Sequence, residues 1–257
     1  MPCRSDTIRV DDIEVHLLRG GRGEPLLVLH SEFASGRWFP YHDDLAQHFH
    51  VLAPDHPGFG KTPRPEWLDR IDDFAIFYAD FLRACGWERV RMLGLSFGGW
   101  IAAEFASLFP ERVSHLVLVG AGGLKVEGES RFDLFAQPFE ETLQHLFFAP
   151  DRWLQLMPTE PGTELILRTY REATTLARVS WNPYWYNPKL ERRLRRIRCP
   201  TLVVWGAEDR FLSPAHARAF AASIPTAELV LLPRCGHLPP LECQSEFIGH
   251  VLPFLQR

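Results

Sequence analysis

Leu93-Gly94-Leu95-Ser96-Phe97-Gly98-Gly99 decides how this chain is read. An apolar run, Val90 to Leu95, leads into it, and a helix-like pattern, Trp100 to Phe109, leads out. A serine between strand and helix sits on a sharp, strained turn where bulky neighbours collide, hence glycine two positions to each side. The helix that starts behind such a serine offers unpaired backbone N–H groups to developing negative charge. The stretch therefore reads as a nucleophile elbow, with Ser96 as the candidate nucleophile.

Outward from the elbow, the chain alternates. Ile8-Arg9-Val10 and Ile13 to Leu18 flank Asp11-Asp12 with a two-residue period, which predicts an antiparallel hairpin. Short continuous apolar runs follow at Leu26–Leu29, Val51–Ala53, Val90–Leu95, Leu116–Val119, Leu202–Trp205 and Leu229–Leu232. Runs of that kind are strands buried on both faces of a parallel sheet. Helical patterns at Phe74–Cys85, Gly99–Phe109, Pro214–Ile224 and Glu246–Leu255 separate several of them. This α/β alternation predicts a mostly parallel sheet covered by helices on both faces.

Between Lys125 and Arg196 the alternation stops, and aromatics and prolines take over. Helical stretches remain at Phe139–Phe148 and Gly162–Val179, the second preceded by Pro161. A segment of about 70 residues is too long for a plain loop, so a helical lid over residues 125–196 is expected, inserted in a core of 1–124 and 197–257. Its basic end, Lys189 to Arg198, places Leu190, Leu194 and Ile197 on one helical face, so its arginines read as a solvated surface.

Composition narrows the function. The 257 residues are 46% hydrophobic and 23% charged, with a formal net charge of -4, which suits one soluble α/β core and gives no reason to expect nucleic acid as a partner. The start lacks the apolar core of a signal peptide, and no apolar run approaches the roughly 20 residues that span a bilayer. Five cysteines without paired spacing fit a reducing cytoplasm. There is no phosphate-binding glycine loop with its lysine and no convincing set of metal ligands, so no cofactor and no metal are expected, only a small-molecule acyl substrate. Gly58-Phe59-Gly60 are turn glycines rather than a dinucleotide fingerprint.

Serine needs a base within hydrogen-bond reach, and the base needs an orienting acid. His237, in Arg234-Cys235-Gly236-His237-Leu238, follows the last core run and so lies at the carboxyl edge of the sheet with the elbow. Asp209, in Trp205-Gly206-Ala207-Glu208-Asp209, follows the preceding run at the same edge, with Glu208 as the fallback acid. The order Ser96, Asp209, His237, each after its own strand, makes the set specific.

With these landmarks the chain resembles serine hydrolases of the α/β-hydrolase superfamily over nearly its whole length. The matching marks are Leu29-His30, Pro54-Asp55-His56-Pro57-Gly58-Phe59-Gly60-Lys61-Thr62, the elbow itself, and the acid and base loops around Asp209 and His237. The resemblance implies an eight-stranded, mostly parallel sheet and an acyl-enzyme mechanism. It also implies an oxyanion hole of two backbone N–H groups, one from Phe97 and one from the loop after the first parallel strand. That loop should read His-Gly-x. Here it reads His30-Ser31-Glu32-Phe33, which makes Glu32 the second donor and Phe33 the next choice. The Glu32 side chain either turns to solvent, pairing with an arginine such as Arg37, or lines the pocket and disfavours anions. His30, Asp55 and His56 read as structural groups at strand ends.

Dehalogenases and epoxide hydrolases of this superfamily carry aspartate at the elbow, so serine points to acyl transfer. The leading expectation is hydrolysis of a small carboxylic ester. The alternative is a carbon–carbon hydrolase of aromatic degradation, for which Arg168, Arg171 or Arg178 would supply the cation an anionic dienoate needs. A ligand-binding receptor of the same fold is the reading from another class. Substrate information lies in Trp181-Asn182-Pro183-Tyr184-Trp185-Tyr186-Asn187-Pro188 and upstream in Phe147-Phe148 and Trp153. Trp181, Tyr184 and Trp185, with Phe33 and Leu238, are the candidate pocket walls, unless the aromatics serve to pack the lid on its core. Activity is expected to rise with pH as His237 titrates, near 6.5 for an unperturbed ring, with the shift imposed by Asp209 left to the structure.

Overall fold

The period-two segments around Asp11-Asp12 form the hairpin β1 (Arg4–Val10) and β2 (Ile13–Gly20), with Val10 opposite Ile13. In the computed structural model, which describes residues 3–32, 34–129, 132–151 and 162–257, this hairpin forms one edge of the sheet. β2 runs antiparallel to β4 (His50–Pro54), and from there every pairing is parallel. The remaining strands are β3 (Pro25–Leu29), β5 (Val90–Leu95), β6 (Val113–Val119), β7 (Thr201–Gly206) and β8 (Ala227–Leu232). The eight strands lie in the order β1-β2-β4-β3-β5-β6-β7-β8. The protein has the α/β-hydrolase fold.

Alternate residues of these strands feed two apolar layers, as the strand period requires. Leu27, Leu29, Met92, Leu116 and Leu118 face α2 (Ile71–Ala84) and α3 (Phe97–Leu108), meeting Phe74, Phe77 and Ile101. Leu26, Val28, Leu93, Leu95 and Val117 face α1 (Pro40–Ala46) on the other side. The α1 helix ends in a region where the hydrophobic pattern is too short to announce it.

Three described helices lie between β6 and β7: α4 (Phe139–Leu146), α5 (Thr163–Ser180) and α6 (Leu190–Leu194). The basic run is helical for five residues only, because i→i−3 bonds from Arg196 and Ile197 tighten the chain before Pro200. Its apolar face is as expected: Leu190, Leu194 and Ile197 are fully buried. Arg193 ties α6 to the core, reaching Glu104 at 3.1 Å and Asp72 at 2.9 Å, and the Asn187 amide donates to the same two carboxylates. The last helices are α7 (Pro214–Ser223), α8 (Pro239–Glu242) and α9 (Gln244–Leu255), which packs with α1 against the second layer. None of the described helices is long and apolar enough to cross a membrane.

Candidate active site

Ser96 takes a left-handed backbone angle, φ 50°, between the end of β5 and the start of α3. That angle costs a non-glycine residue of order 1–3 kcal/mol, so its surroundings must hold it. The Ser96 N–H donates to the Val119 carbonyl at 2.8 Å, and the Ser96 carbonyl accepts from Trp100 and Gly122. The two glycines are needed for contact reasons. A Cβ on Gly94 would strike the Gly98 carbonyl, and one on Gly98 would strike the carbonyls of Leu29 and His30. The elbow is thus pressed against the end of β3.

The strand ends bring Asp209 and His237 to the same place. His237 Nε2 lies 2.7 Å from Ser96 Oγ, and His237 Nδ1 lies 2.7 Å from Asp209 Oδ2. All three side chains are buried. Asp209 Oδ1 accepts the backbone N–H groups of Phe211 and Leu212, each at 2.9 Å, so the carboxylate is held at both oxygens. Glu208 is committed elsewhere: its Oε2 accepts the Cys235 amide at 3.0 Å. The base loop is clamped as well. The His237 N–H donates to Leu146 at the end of α4, and Glu242 accepts from Gly236 and Phe148.

Burial alone would depress the His237 pKa, but the charge and hydrogen bond of Asp209 outweigh it, with smaller help from Glu32 and Glu242. The result lies above the ordinary 6.5, not at it. The arrangement can take a proton from a serine hydroxyl and hold it on a stabilised imidazolium.

The loop after β3 departs from the expected glycine, and its neighbours account for it. Ser31 lies outside the left-handed region, so its Cβ costs nothing there. Two buried histidines brace the loop with their rings 3.9 Å apart. His30 Nδ1 donates to the Ser31 carbonyl at 2.6 Å and its Nε2 accepts the His56 amide. His56 Nε2 donates to the His30 carbonyl at 3.0 Å and its Nδ1 accepts the Tyr78 hydroxyl. Burial pushes both rings below the ordinary histidine range, which keeps them neutral in these roles.

Glu32 is neither solvated nor paired with Arg37. It is 2% exposed, and its Oε2 faces the Phe97 N–H, the first candidate oxyanion donor, at 3.4 Å. Sequence gave no means to see this, because the partner amide is 65 residues away in the chain.

The candidate walls divide. Trp185 is buried, with Phe97, Trp100, Tyr184 and Phe211 as ring neighbours, and Phe211 in turn lies 4.7 Å from the His237 ring. Tyr184 is partly buried and spends its hydroxyl on the Phe132 carbonyl and the Leu134 amide. Leu238 is buried beside the base. Trp181 does not wall a closed pocket: it is 60% exposed and packs on Phe135. Phe33 and Trp153 lie outside the described residues.

Sequence reasoning passed over Phe211 and Glu172. Glu172 Oε1, on α5, accepts Ser35 Oγ at 2.6 Å and the Gly60 amide at 2.8 Å, joining the loops after β3 and β4. A signal existed: Glu172 shares a helical face with Thr175 and Leu176, which are buried, and a carboxylate in that row needs partners. Arg168 lies 4.0 Å from the same oxygen, while Arg171 and Arg178 are exposed.

Residues 15–249 match the model of the Alpha/beta hydrolase family. A 2-hydroxy-6-oxo-6-phenylhexa-2,4-dienoate hydrolase of Burkholderia cepacia is 28% identical, over 96% of this chain and 92% of its own. A 2-hydroxy-6-oxononadienedioate/2-hydroxy-6-oxononatrienedioate hydrolase of Burkholderia vietnamiensis is 31% identical, with the same two coverages, 96% and 92%. Among solved structures, a membrane phospholipase A described as a bacterial virulence factor superposes with a TM-score of 0.83 at 27% identity, covering 99% of this chain and 86% of that one. The protein is a hydrolase and belongs to the alpha/beta hydrolase family.

Proposed function

We propose that this hydrolase cleaves the carbon–carbon bond beside a ketone carbonyl in a dienoate product of aromatic ring cleavage. The observation that carries the reading is the hydrogen-bonded chain Ser96–His237–Asp209 beside the Phe97 amide, in a chain whose relatives named for that reaction align over nine-tenths of both lengths. In this reading Ser96 Oγ attacks the ketone as His237 takes its proton. The carbonyl oxygen collects charge at the Phe97 amide. Collapse breaks the carbon–carbon bond, and the departing carbon, its charge spread over the dienoate, takes the proton from His237. Water, deprotonated by the same ring, then releases the acyl group as a carboxylic acid. Residues 125–196 serve as a lid, and Trp185 and Leu238 wall the acyl side.

A second reading, hydrolysis of a neutral carboxylic ester, is favoured by the Glu32 carboxylate at the Phe97 amide and by the likeness to a phospholipase. It matches the first up to the leaving group, which becomes an alcohol.

A fluorophosphonate probe, a ring-cleavage dienoate and a series of acyl esters separate the readings. Labelling that disappears in Ser96→Ala, with dienoate turnover, supports the first. Labelling with turnover of esters alone supports the second. No labelling of the wild-type protein would remove both and leave binding without turnover.

A further inference from the structure

The Glu32 carboxylate stands where the reaction needs the opposite charge. It is buried, and its Oε2 meets the Phe97 amide at 3.4 Å, long against the 2.7–2.9 Å of a good charge-assisted bond. Among the described residues its Oε1 has no hydrogen-bond partner, although it is shielded from solvent. A buried carboxylate so weakly served is costly, and it leaves acceptor capacity open beside Ser96.

Substrate binding makes the position worse or better according to what the substrate brings. A carbonyl oxygen that takes over the Phe97 amide strips Glu32 of the donor it has among the described residues. A plain acyl group then leaves the carboxylate unserved, and an acyl group with its own carboxylate next to the carbonyl adds repulsion. A hydroxyl or amine at that place does the reverse: its O–H or N–H goes to Glu32 as the carbonyl goes to Phe97, and no donor is lost. Hydrogen bonds to charged groups contribute enough for roughly tenfold or greater selection.

We propose that Glu32 is a specificity-determining residue that selects acyl compounds carrying a hydroxyl or amine beside the scissile carbonyl. The proposal rests on Ser96 being the nucleophile, but not on whether carbon or oxygen leaves.

The test compares para-nitrophenyl esters of ortho-aminobenzoate, ortho-hydroxybenzoate and ortho-methylbenzoate, which differ in the donor and little in size. Their kcat/KM values are measured on wild type, Glu32→Leu and Glu32→Gln, so intrinsic ester reactivity cancels in the comparison between proteins. Wild type should favour the two donor esters over the methyl ester by about tenfold relative to Glu32→Leu. Should Glu32→Leu not fold, Glu32→Gln keeps the shape and removes the charge. It should weaken the same preference and raise turnover of a fourth substrate, the para-nitrophenyl ester of ortho-carboxybenzoate, whose added charge Glu32 repels. A preference equal in wild type and both variants, in protein that fluorophosphonate labels at Ser96, overturns the role of Glu32 alone. Wild-type protein that takes no label overturns the nucleophile as well.

Discussion

Asp209 and His237 are joined at 2.7 Å, Oδ2 to Nδ1, with the other Asp209 oxygen already engaged by two backbone amides. The carboxylate therefore cannot turn, and Nδ1 carries the ring proton, leaving Nε2 as acceptor toward Ser96. Asp209→Asn would present an N–H and favour the wrong tautomer, with kcat falling on the order of 10⁴. Glu208→Gln keeps a side-chain oxygen to accept the Cys235 amide and removes only a charge, so it should change kcat far less. Steady-state rates of the two variants check this.

The pH profile carries the same pair. Activity needs neutral His237, so kcat/KM should rise with pH through a midpoint above 6.5, because Asp209 outweighs burial. Glu32→Gln withdraws a lesser contribution and should move that midpoint down. An unmoved midpoint would place the Glu32 charge elsewhere in the working enzyme.

Glu104 sets a pH dependence of stability. Burial, helped by Asp72, pushes its carboxyl up from 4.5 to about 7 against Asn187, Trp100 and Arg193. The folded protein thus holds this proton more tightly than the unfolded chain. Its contribution is complete below about 4.5 and is lost as pH rises through about 7, a difference of about 3 kcal/mol. Glu104→Gln should flatten stability across that window, read as denaturant midpoints at the two ends.

Trp185 and Trp181 stand four residues apart in one aromatic run, yet their substitutions should differ widely. Trp185→Ala opens a cavity among Phe97, Trp100 and Phe211 and should cost about 3–5 kcal/mol. Trp181→Ala, at an exposed ring, should stay within about 0.5 kcal/mol. Thermal unfolding of both variants decides.

That pair also marks how far sequence reaches. The strands were legible because residues such as Leu26–Leu29 are buried on both faces and leave unbroken apolar runs. Ser96, Asp209 and His237 were legible because each follows such a run. The aromatic run was not, since Trp185 turns inward from a left-handed backbone, φ 58°, that no periodic pattern announces. Glu32 was equally hidden. Its burial depends on the elbow amide and on two histidines whose tautomers follow from carbonyls in the folded loop.

The single oxygen of Glu172 has a mechanical consequence. By holding Ser35 and the Gly60 amide at once, it makes one helix the keystone of two loops, those that follow β3 and β4. The segments that carry Ser35 and Gly60 are therefore yoked through one carboxylate oxygen, and neither can leave the helix without giving up its bond to Glu172.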